Sequence, residues 1–262
     1  MAVWQVWAGG LAAVLVLMTL TWAVAVLRHD VSLVDRVWGL SFVVLAVVYA
    51  AIGDGAAPRT ALVLLLVVTW GSRLSWHITR RNWGSGEDAR YAEMRRRRPE
   101  SFPVTSLYRV FWLQAGLAWL ISLPLAAALH RSEPATLRWL DLLGLLVWLV
   151  GFGFEAIGDR QLRRFLADPA NRGAVLDRGL WRYTRHPNYF GDATLWWGYF
   201  LFALATGAWW TVIGPAVMTV LIVRVSGVAL TDRRMASDGR TRRGYDEYVR
   251  RTNAFIPGPR RD

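Results

Sequence analysis

What most constrains this chain is the recurrence of apolar stretches close to the roughly 20 residues that a helix needs to cross the hydrocarbon core of a bilayer. They fall at about 3–27, 33–52, 60–79, 107–129, 138–157, 189–206 and 208–228. No water reaches the backbone inside a bilayer, so such stretches must satisfy their own N–H and C=O groups as helices. The expected fold is therefore all-α: a polytopic bundle of seven transmembrane helices, read as one integral-membrane domain over 1–262, with cytoplasmic loops and a tail over 229–262. With 54% hydrophobic residues and 16 Trp, the composition excludes an ordinary soluble domain. The first stretch lacks a basic leading region and is too long for a signal peptide, so it reads as the first membrane helix. The last two are joined through Thr206-Gly207 and must form a tight hairpin.

All 31 basic residues are arginine, and the formal charge is +12. If the N-terminus lies outside, Arg59, Arg131 and Arg138 are on the outer side and nearly every other arginine is cytoplasmic, together with the C-terminus, as the positive-inside rule demands. The charge thus serves topology, and no nucleic-acid partner is expected. The absence of cysteine removes disulfides, thiolate nucleophiles and thiolate metal sites, and no metal is expected. The segments Arg80 to Ser106, Gly158 to Pro187 and the tail are long enough to carry chemistry.

The most informative of these is a polar, aromatic knot at the mouth of the sixth stretch, Arg182-Tyr183-Thr184-Arg185-His186-Pro187-Asn188-Tyr189-Phe190-Gly191-Asp192. Pro187 disfavours helical geometry at His186, and Asn188 is placed to cap the helix that follows. A helix N-terminus surrounded by Arg182, Arg185 and His186 is a pocket for a phosphate-bearing ligand.

Other ionisable residues lie within or beside the apolar stretches. Asp35 opens the second; burial there marks a functional group, whereas an interfacial position would let it pair with Arg36. Trp70, Arg73, His77 and Arg80 or Arg81 share one face of the third. Arg73, almost two turns inside, should face the bundle interior or a wet cavity. His77 is either a proton donor or a structural hydrogen bonder. The loop from Asn82 to Tyr91 mixes glycine, acids and an aromatic and is suited to act as a lid, and Arg95 to Arg98 reads as attraction to anionic lipid. Gly151-Phe152-Gly153 matches a loose dinucleotide fingerprint but lacks the preceding strand, and is rejected. Glu155, Asp159 and Arg163, four apart, form either a salt-bridge ladder or a face that meets a cofactor's ribose and phosphate. In the tail, Tyr245, Tyr248 and Thr252 share a face of a short amphipathic helix, which either anchors at the interface or helps to close the site.

These residues carry a family resemblance. Gly179 to Asp192, then Trp196-Trp197-Gly198 and the closing Phe255-Ile256-Pro257, with Trp70-Gly71-Ser72-Arg73-Leu74, Arg80-Arg81-Asn82 and Gly86-Glu87-Asp88, resemble the bacterial branch of the steroid 5α-reductase family, the group catalogued as DUF1295. The resemblance implies a multi-pass reductase of the bacterial inner membrane that binds NADPH on the cytoplasmic side without a Rossmann domain. It would reduce the carbon–carbon double bond of a lipophilic enone, a 3-oxo-4-ene steroid or a similar isoprenoid or lipid. By position, the family's cofactor residues fall on Asp159, Asn188, Asp192 and Arg224; Arg73, Arg80, Arg163, the knot residues Arg182, Tyr183, Arg185 and His186, and Tyr248 complete the expected NADPH set. The family's catalytic glutamate and tyrosine have Asp35 and His77 as their closest positions, and both are departures. Conjugate reduction would then have Asp35, protonated, and His77 polarise the carbonyl. The alternative is an S-adenosylmethionine-dependent methyltransferase of the isoprenylcysteine or phospholipid type, which also carries an Arg-His-Pro-x-Tyr knot but usually a glutamate pair after the last helix. Here that region reads Thr231-Asp232-Arg233-Arg234. A non-enzymatic scaffold or lipid carrier would leave Arg73 and the Glu155-Asp159-Arg163 face without a purpose. Neither the substrate's identity nor the oligomeric state is written in these residues.

Overall fold

The computed structural model describes residues 3–237 and 244–261, and no strand occurs among them. Positions 238–243 and 262 of the expected tail lie outside the described residues. Helix ends follow local chemistry. After α1 (Val3–Leu27) and α2 (Leu33–Ile52), α3 (Ala57–Arg81) has a proline in its first turn, where the missing N–H is no loss, and Arg80 and Arg81 in its last. Asp88 caps α4 (Ala89–Arg97), its carboxylate accepting the Arg90 amide at 2.9 Å. α5 (Phe102–Ile121) contains a π-helical stretch, Leu107–Trp112, and bends by 49° into α6 (Leu123–His130), which has a proline in its first turn. The remaining helices are α7 (Trp139–Ala167), α8 (Pro187–Ala205), α9 (Ile213–Val220), α10 (Val228–Ser237) and α11 (Tyr245–Arg251). A π-helical stretch, Leu221–Ser226, follows α9.

Among the described residues, five helical segments are long and apolar enough to cross a membrane: α1, α2, α3, α7 and Trp209–Asp232. Counting the bent α5–α6 pair makes six. This is the pattern of a multi-pass membrane protein, with fewer apolar spans than the seven read from sequence. The difference lies in α8: the helix forms over 19 residues, but Asn188, Tyr189, Asp192 and Thr194 occupy its first turns, and it is not among the apolar spans.

The chain divides into two compact units, Met1–Arg138 with Phe202–Ile213, and Trp139–Leu201 with Gly214–Asp262. In the first, α2 and α3 meet backbone to backbone at Gly39 and Gly71. A Cβ on Gly39 would lie 2.3 Å from the Gly71 carbonyl oxygen, and one on Gly71 2.6 Å from that of Gly39. Such small residues let membrane helices approach closely. Ser75 Oγ, one turn on, accepts the Leu40 amide at 3.1 Å. Deeper in the unit, buried Tyr49 bonds Ser122 at 2.8 Å, and Trp7 stacks on Trp119 at 3.9 Å. Arg59, assigned by sequence to an outer loop, is fully buried and donates to the Pro134 carbonyl at 3.1 Å.

The loop after α3 is clasped to the α1–α2 turn. Glu87 accepts the Val31 amide at 2.9 Å and Arg95 at 2.8 and 3.0 Å, and Ser32 Oγ accepts the Asp88 amide at 2.7 Å. Arg95 therefore serves the clasp, and Arg96 and Arg97 pair with Glu93 on their own helix. Burial by itself would raise the Glu87 carboxyl, but the bonds from Arg95 and Val31 outweigh it and hold its pKa below the ordinary value.

Two expectations follow. Gly39→Val should lower the detergent-phase melting temperature, at an overpacking cost of about 1–3 kcal/mol or more. Gly153→Ala, where an added Cβ meets nothing within 4 Å, should leave it unchanged. Because the folded pKa of Glu87 is depressed, its stabilising contribution is complete above the unfolded carboxylate value of about 4.3 and is lost as pH falls through the folded value. Limited proteolysis of residues 82–106 should accelerate over that acid window, and Glu87→Gln should remove the pH dependence.

Candidate functional site

In the second unit the backbones of α7 and α8 touch. A Cβ on Gly151 would lie 2.5 Å from the Leu195 amide nitrogen, and one on Gly191 2.4 Å from the Gly151 carbonyl oxygen. Gly151, rejected above as part of a nucleotide fingerprint, is thus a helix-packing residue. The contact sets the polar residues of α7 beside those at the start of α8. Glu155 and Asp159 are 3% and 5% exposed, and Asn188 Nδ2 donates to Asp159 Oδ1 at 3.1 Å. Asn188 Oδ1 is buried with no hydrogen-bond partner. Asp192 is half-buried one turn further along α8.

α8 begins at Pro187, the position a proline prefers, and the His186 carbonyl accepts the Phe190 amide at 3.0 Å. Asn188 therefore sits inside the first turn and does not cap the helix; its amide is turned to Asp159 instead. Ahead of it, the knot is knitted to the tail. Arg185 donates to the Val249 and Thr252 carbonyls at 3.2 and 2.9 Å and to Asp232 Oδ2 at 2.7 Å. His186 Nε2 lies 3.0 Å from Asp232 Oδ1, and its ring stacks on Tyr189. Thr184 Oγ1 donates to the Phe255 carbonyl at 2.9 Å, and the Gly258 amide to that of Tyr183 at 3.1 Å. Tyr248 and Thr252 share the buried face of α11, as their spacing predicts. The Tyr248 hydroxyl donates to the Trp181 carbonyl at 2.7 Å, and burial holds its pKa well above the ordinary phenol value. Arg185, His186 and Tyr248 thus bind tail and helix, while Arg163, Arg182, Tyr183 and Arg224 are exposed. Asp232 is the functional candidate that sequence reading missed. Its signal was its place in the segment where the methyltransferases carry their glutamates.

The first unit holds the other cluster. Asp35 Oδ1 accepts the Tyr91 hydroxyl at 3.0 Å and Asp35 Oδ2 accepts Arg90 at 3.0 Å. Arg36, the alternative partner expected for Asp35, is bonded to Asp30 at 3.1 Å instead. Tyr91, 7% exposed, also accepts from Gln114 Nε2 at 3.4 Å. Burial first, then the charge of Asp35, raises the Tyr91 phenol well above its ordinary pKa, so it keeps its proton. Tyr91 is the second residue missed: it lies 56 positions from Asp35, and only the clasped loop brings them together. On α3 of the same unit Arg73 and His77 are half-buried and Arg80 is exposed.

Two cavities, of about 320 and 340 Å³, flank the loop after α7. Neither is lined by a residue of the knot. Among the described residues no group of three or more His, Cys, Asp or Glu could hold a metal ion.

An all-helical, multi-pass membrane architecture with buried carboxylates beside a His-Pro helix mouth defines the class. A family described as a protein of unknown function, DUF1295, matches residues 21–252, and the chain belongs to it. An uncharacterized protein of Schizosaccharomyces pombe (strain 972) is 26% identical over 219 residues, covering 74% of this chain. The aligned region spans 63% of that relative, less than two thirds of its length. No solved structure matches.

Asp232→Ala would leave the Arg185 and His186 side chains buried without their shared acceptor, a loss of about 3–5 kcal/mol for a buried pair and less here because Asp232 is 30% exposed. The expected outcome is faster amide exchange and earlier protease cleavage over 244–261, with α1–α3 unaffected.

Proposed function

We propose that this chain is a membrane-embedded, NADPH-dependent reductase that adds hydride to the carbon–carbon double bond of a lipophilic enone, a 3-oxo-4-ene steroid or a similar isoprenoid or lipid. The observation that carries this reading is the tyrosine–carboxylate pair, buried Tyr91 on half-buried Asp35 at 3.0 Å, because the steroid 5α-reductases that the sequence resembles use a carboxylate and a tyrosine for this chemistry. The sequence reading gave the second position to His77; Tyr91 supplies the phenol that His77 lacks.

The residues of the second unit fit a nicotinamide cofactor. The orphaned Asn188 Oδ1 is an acceptor suited to a carboxamide N–H, Asp159 and Asp192 are acceptors beside it, and Arg163, Arg182 and Arg224 are exposed cations suited to phosphate. NADPH would supply the hydride when bound. Tyr91 would donate a hydrogen bond to the substrate's carbonyl oxygen and stabilise the enolate that develops as the β-carbon is reduced. Asp35 and Gln114 hold the phenol in place; with substrate bound, its one hydrogen would turn from Asp35 Oδ1 to the substrate oxygen, and the proton that completes the saturated ketone at the α-carbon would come from solvent water. We place the protein in a bacterial inner membrane with its N-terminus outside, on the arginine distribution.

One observation favours a second reading. Asp232, from the segment that holds the glutamate pair of isoprenylcysteine and phospholipid methyltransferases, bonds His186 of the knot. On that reading S-adenosylmethionine is the competing cofactor, with one acid where those enzymes usually carry two.

The decisive measurement compares NADPH, NADH and S-adenosylmethionine binding to detergent-purified protein. Saturable NADPH binding is expected; S-adenosylmethionine binding with no response to NADPH would overturn the reading. For turnover of an enone substrate, Tyr91→Phe and Asp35→Asn should each lower kcat by about 100-fold or more while leaving NADPH binding intact. His77→Phe separates the two assignments: full activity in that variant fits the Tyr91 pair, and loss of activity restores His77.

A further inference from the structure

The segment between α3 and α5 crosses the end of the first unit where α1 turns into α2, and its two sides carry different chemistry. The inner side is committed: Glu87 takes Arg95 and the Val31 amide, Asp88 takes Arg90, and Tyr91 and Arg90 meet Asp35. The outer side carries the surplus charge, since seven arginines and four acids lie between Arg80 and Glu100. Arg96 and Arg97, each 76% exposed, have one carboxylate between them, that of Glu93, and exposed pairs of this kind are worth little in water. The Arg98 side chain makes no hydrogen bond or ion pair among the described residues. Of the run Arg95 to Arg98, the fold thus withdraws Arg95 and leaves the other three exposed.

The depth of this outer side follows from the helices that bracket it. Apolar side chains left exposed near the end of α3 and the start of α5 face hydrocarbon or its edge: Trp76 on the one, Val104, Tyr108 and Trp112 on the other. Arg81 lies five residues beyond Trp76 and Arg98 six ahead of Val104, an axial rise of roughly 8–9 Å at the helical 1.5 Å per residue. The headgroup layer is roughly 5–8 Å thick on each side of the hydrocarbon, so both ends of the segment emerge at headgroup level. Trp83, 78% exposed and just past α3, is the residue type that settles in this layer. The Arg98 carbonyl accepts the Phe102 amide at 2.9 Å, which fixes Arg98 directly ahead of α5. The complement of a cationic surface at that depth is lipid phosphate, which the guanidinium fork fits. A nucleic acid or a soluble acidic protein would leave Trp83 and Val104 uncovered.

We propose that the outer face of this segment, Arg96, Arg97 and Arg98 beside Trp83, binds the anionic phospholipids of the adjoining leaflet, and that lipid charge thereby sets how often the segment lifts and takes Tyr91 away from Asp35. The Glu87–Arg95 clasp holds the segment from inside, and the leaflet holds it from outside. Near an anionic leaflet each basic residue contributes about fivefold in affinity. With Glu93 offsetting one of the three arginines, the net preference for anionic lipid is about 25-fold. The proposal does not depend on which cofactor the second unit takes; under the reductase reading it makes anionic lipid an activator.

The test uses the full chain in nanodiscs of phosphatidylcholine with and without phosphatidylglycerol, read by amide exchange over 89–98. In wild type the anionic lipid should slow exchange by about tenfold or more, and raised salt should remove the gain, because screening acts on exposed charges. Arg96→Gln, Arg97→Gln and Arg98→Gln combined should exchange at one rate in both discs, with the melting temperature in detergent unchanged. The chain has no cysteine, so Trp83→Cys carries a single nitroxide, whose collisions with oxygen should exceed those with a water-soluble nickel complex. Equal wild-type rates in the two discs, a triple variant that keeps the lipid effect, or a nitroxide open chiefly to the aqueous reagent would each overturn the proposal. So would inorganic pyrophosphate that gives neutral discs the protection of phosphatidylglycerol, since the surface would then be a site for free polyanions. Turnover is not the readout, so failure here leaves the reductase reading standing, and failure of that reading leaves the lipid result standing.

Discussion

The second unit is built on one close approach, the contact of the α7 and α8 backbones at Gly151 and Gly191. A side chain at either position would push the helices apart, and the polar contact between α7 and α8 depends on their not being apart. With the helices touching, Asp159 reaches Asn188, and Glu155 is enclosed beside Gly191 rather than facing hydrocarbon. Buried carboxylates are costly in a membrane protein unless they have partners or a task. The glycine contact brings Asn188 to Asp159 and leaves Asn188 Oδ1 buried without a hydrogen-bond partner.

The knot and the tail solve a different problem. A helix mouth crowded with arginine and histidine repels itself unless an anion is supplied. The chain supplies its own in Asp232, which accepts from Arg185 and His186 together. Arg185 Nη1 is spent on tail carbonyls, so the residues that look most like a phosphate site in sequence work chiefly as a clasp. The cations left for a ligand are the exposed ones. They are Arg163 on α7, Arg182 at the start of the knot and Arg224 after α9.

In the first unit the same logic operates on a smaller scale. The Glu87–Arg95 clasp pins a loop that has little apolar surface of its own, and the pinned loop delivers Arg90 and Tyr91 to Asp35. A carboxylate at the end of a membrane helix gains a phenol and a guanidinium that its own helix does not provide. The phenol arrives on α4, a short helix outside the long apolar ones.

Much of this was legible in the chain itself. Apolar length determined the helices and the membrane class because backbone satisfaction in lipid admits little else, and period determined the buried face of α11. Pro187 fixed where α8 begins, although not that Asn188 would turn away from the helix end. The span count was less legible, since α8 forms as a helix by packing against α7 rather than by apolarity. What only the tertiary structure decided were the long-range partners: Tyr91 for Asp35, and Asp232 for His186. Sequence spacing reports which residues share a helix face. It carries no information about which loop, 50 residues away, folds back to meet that face, because that choice is made by close packing and by the pairing of charges that cannot be left alone.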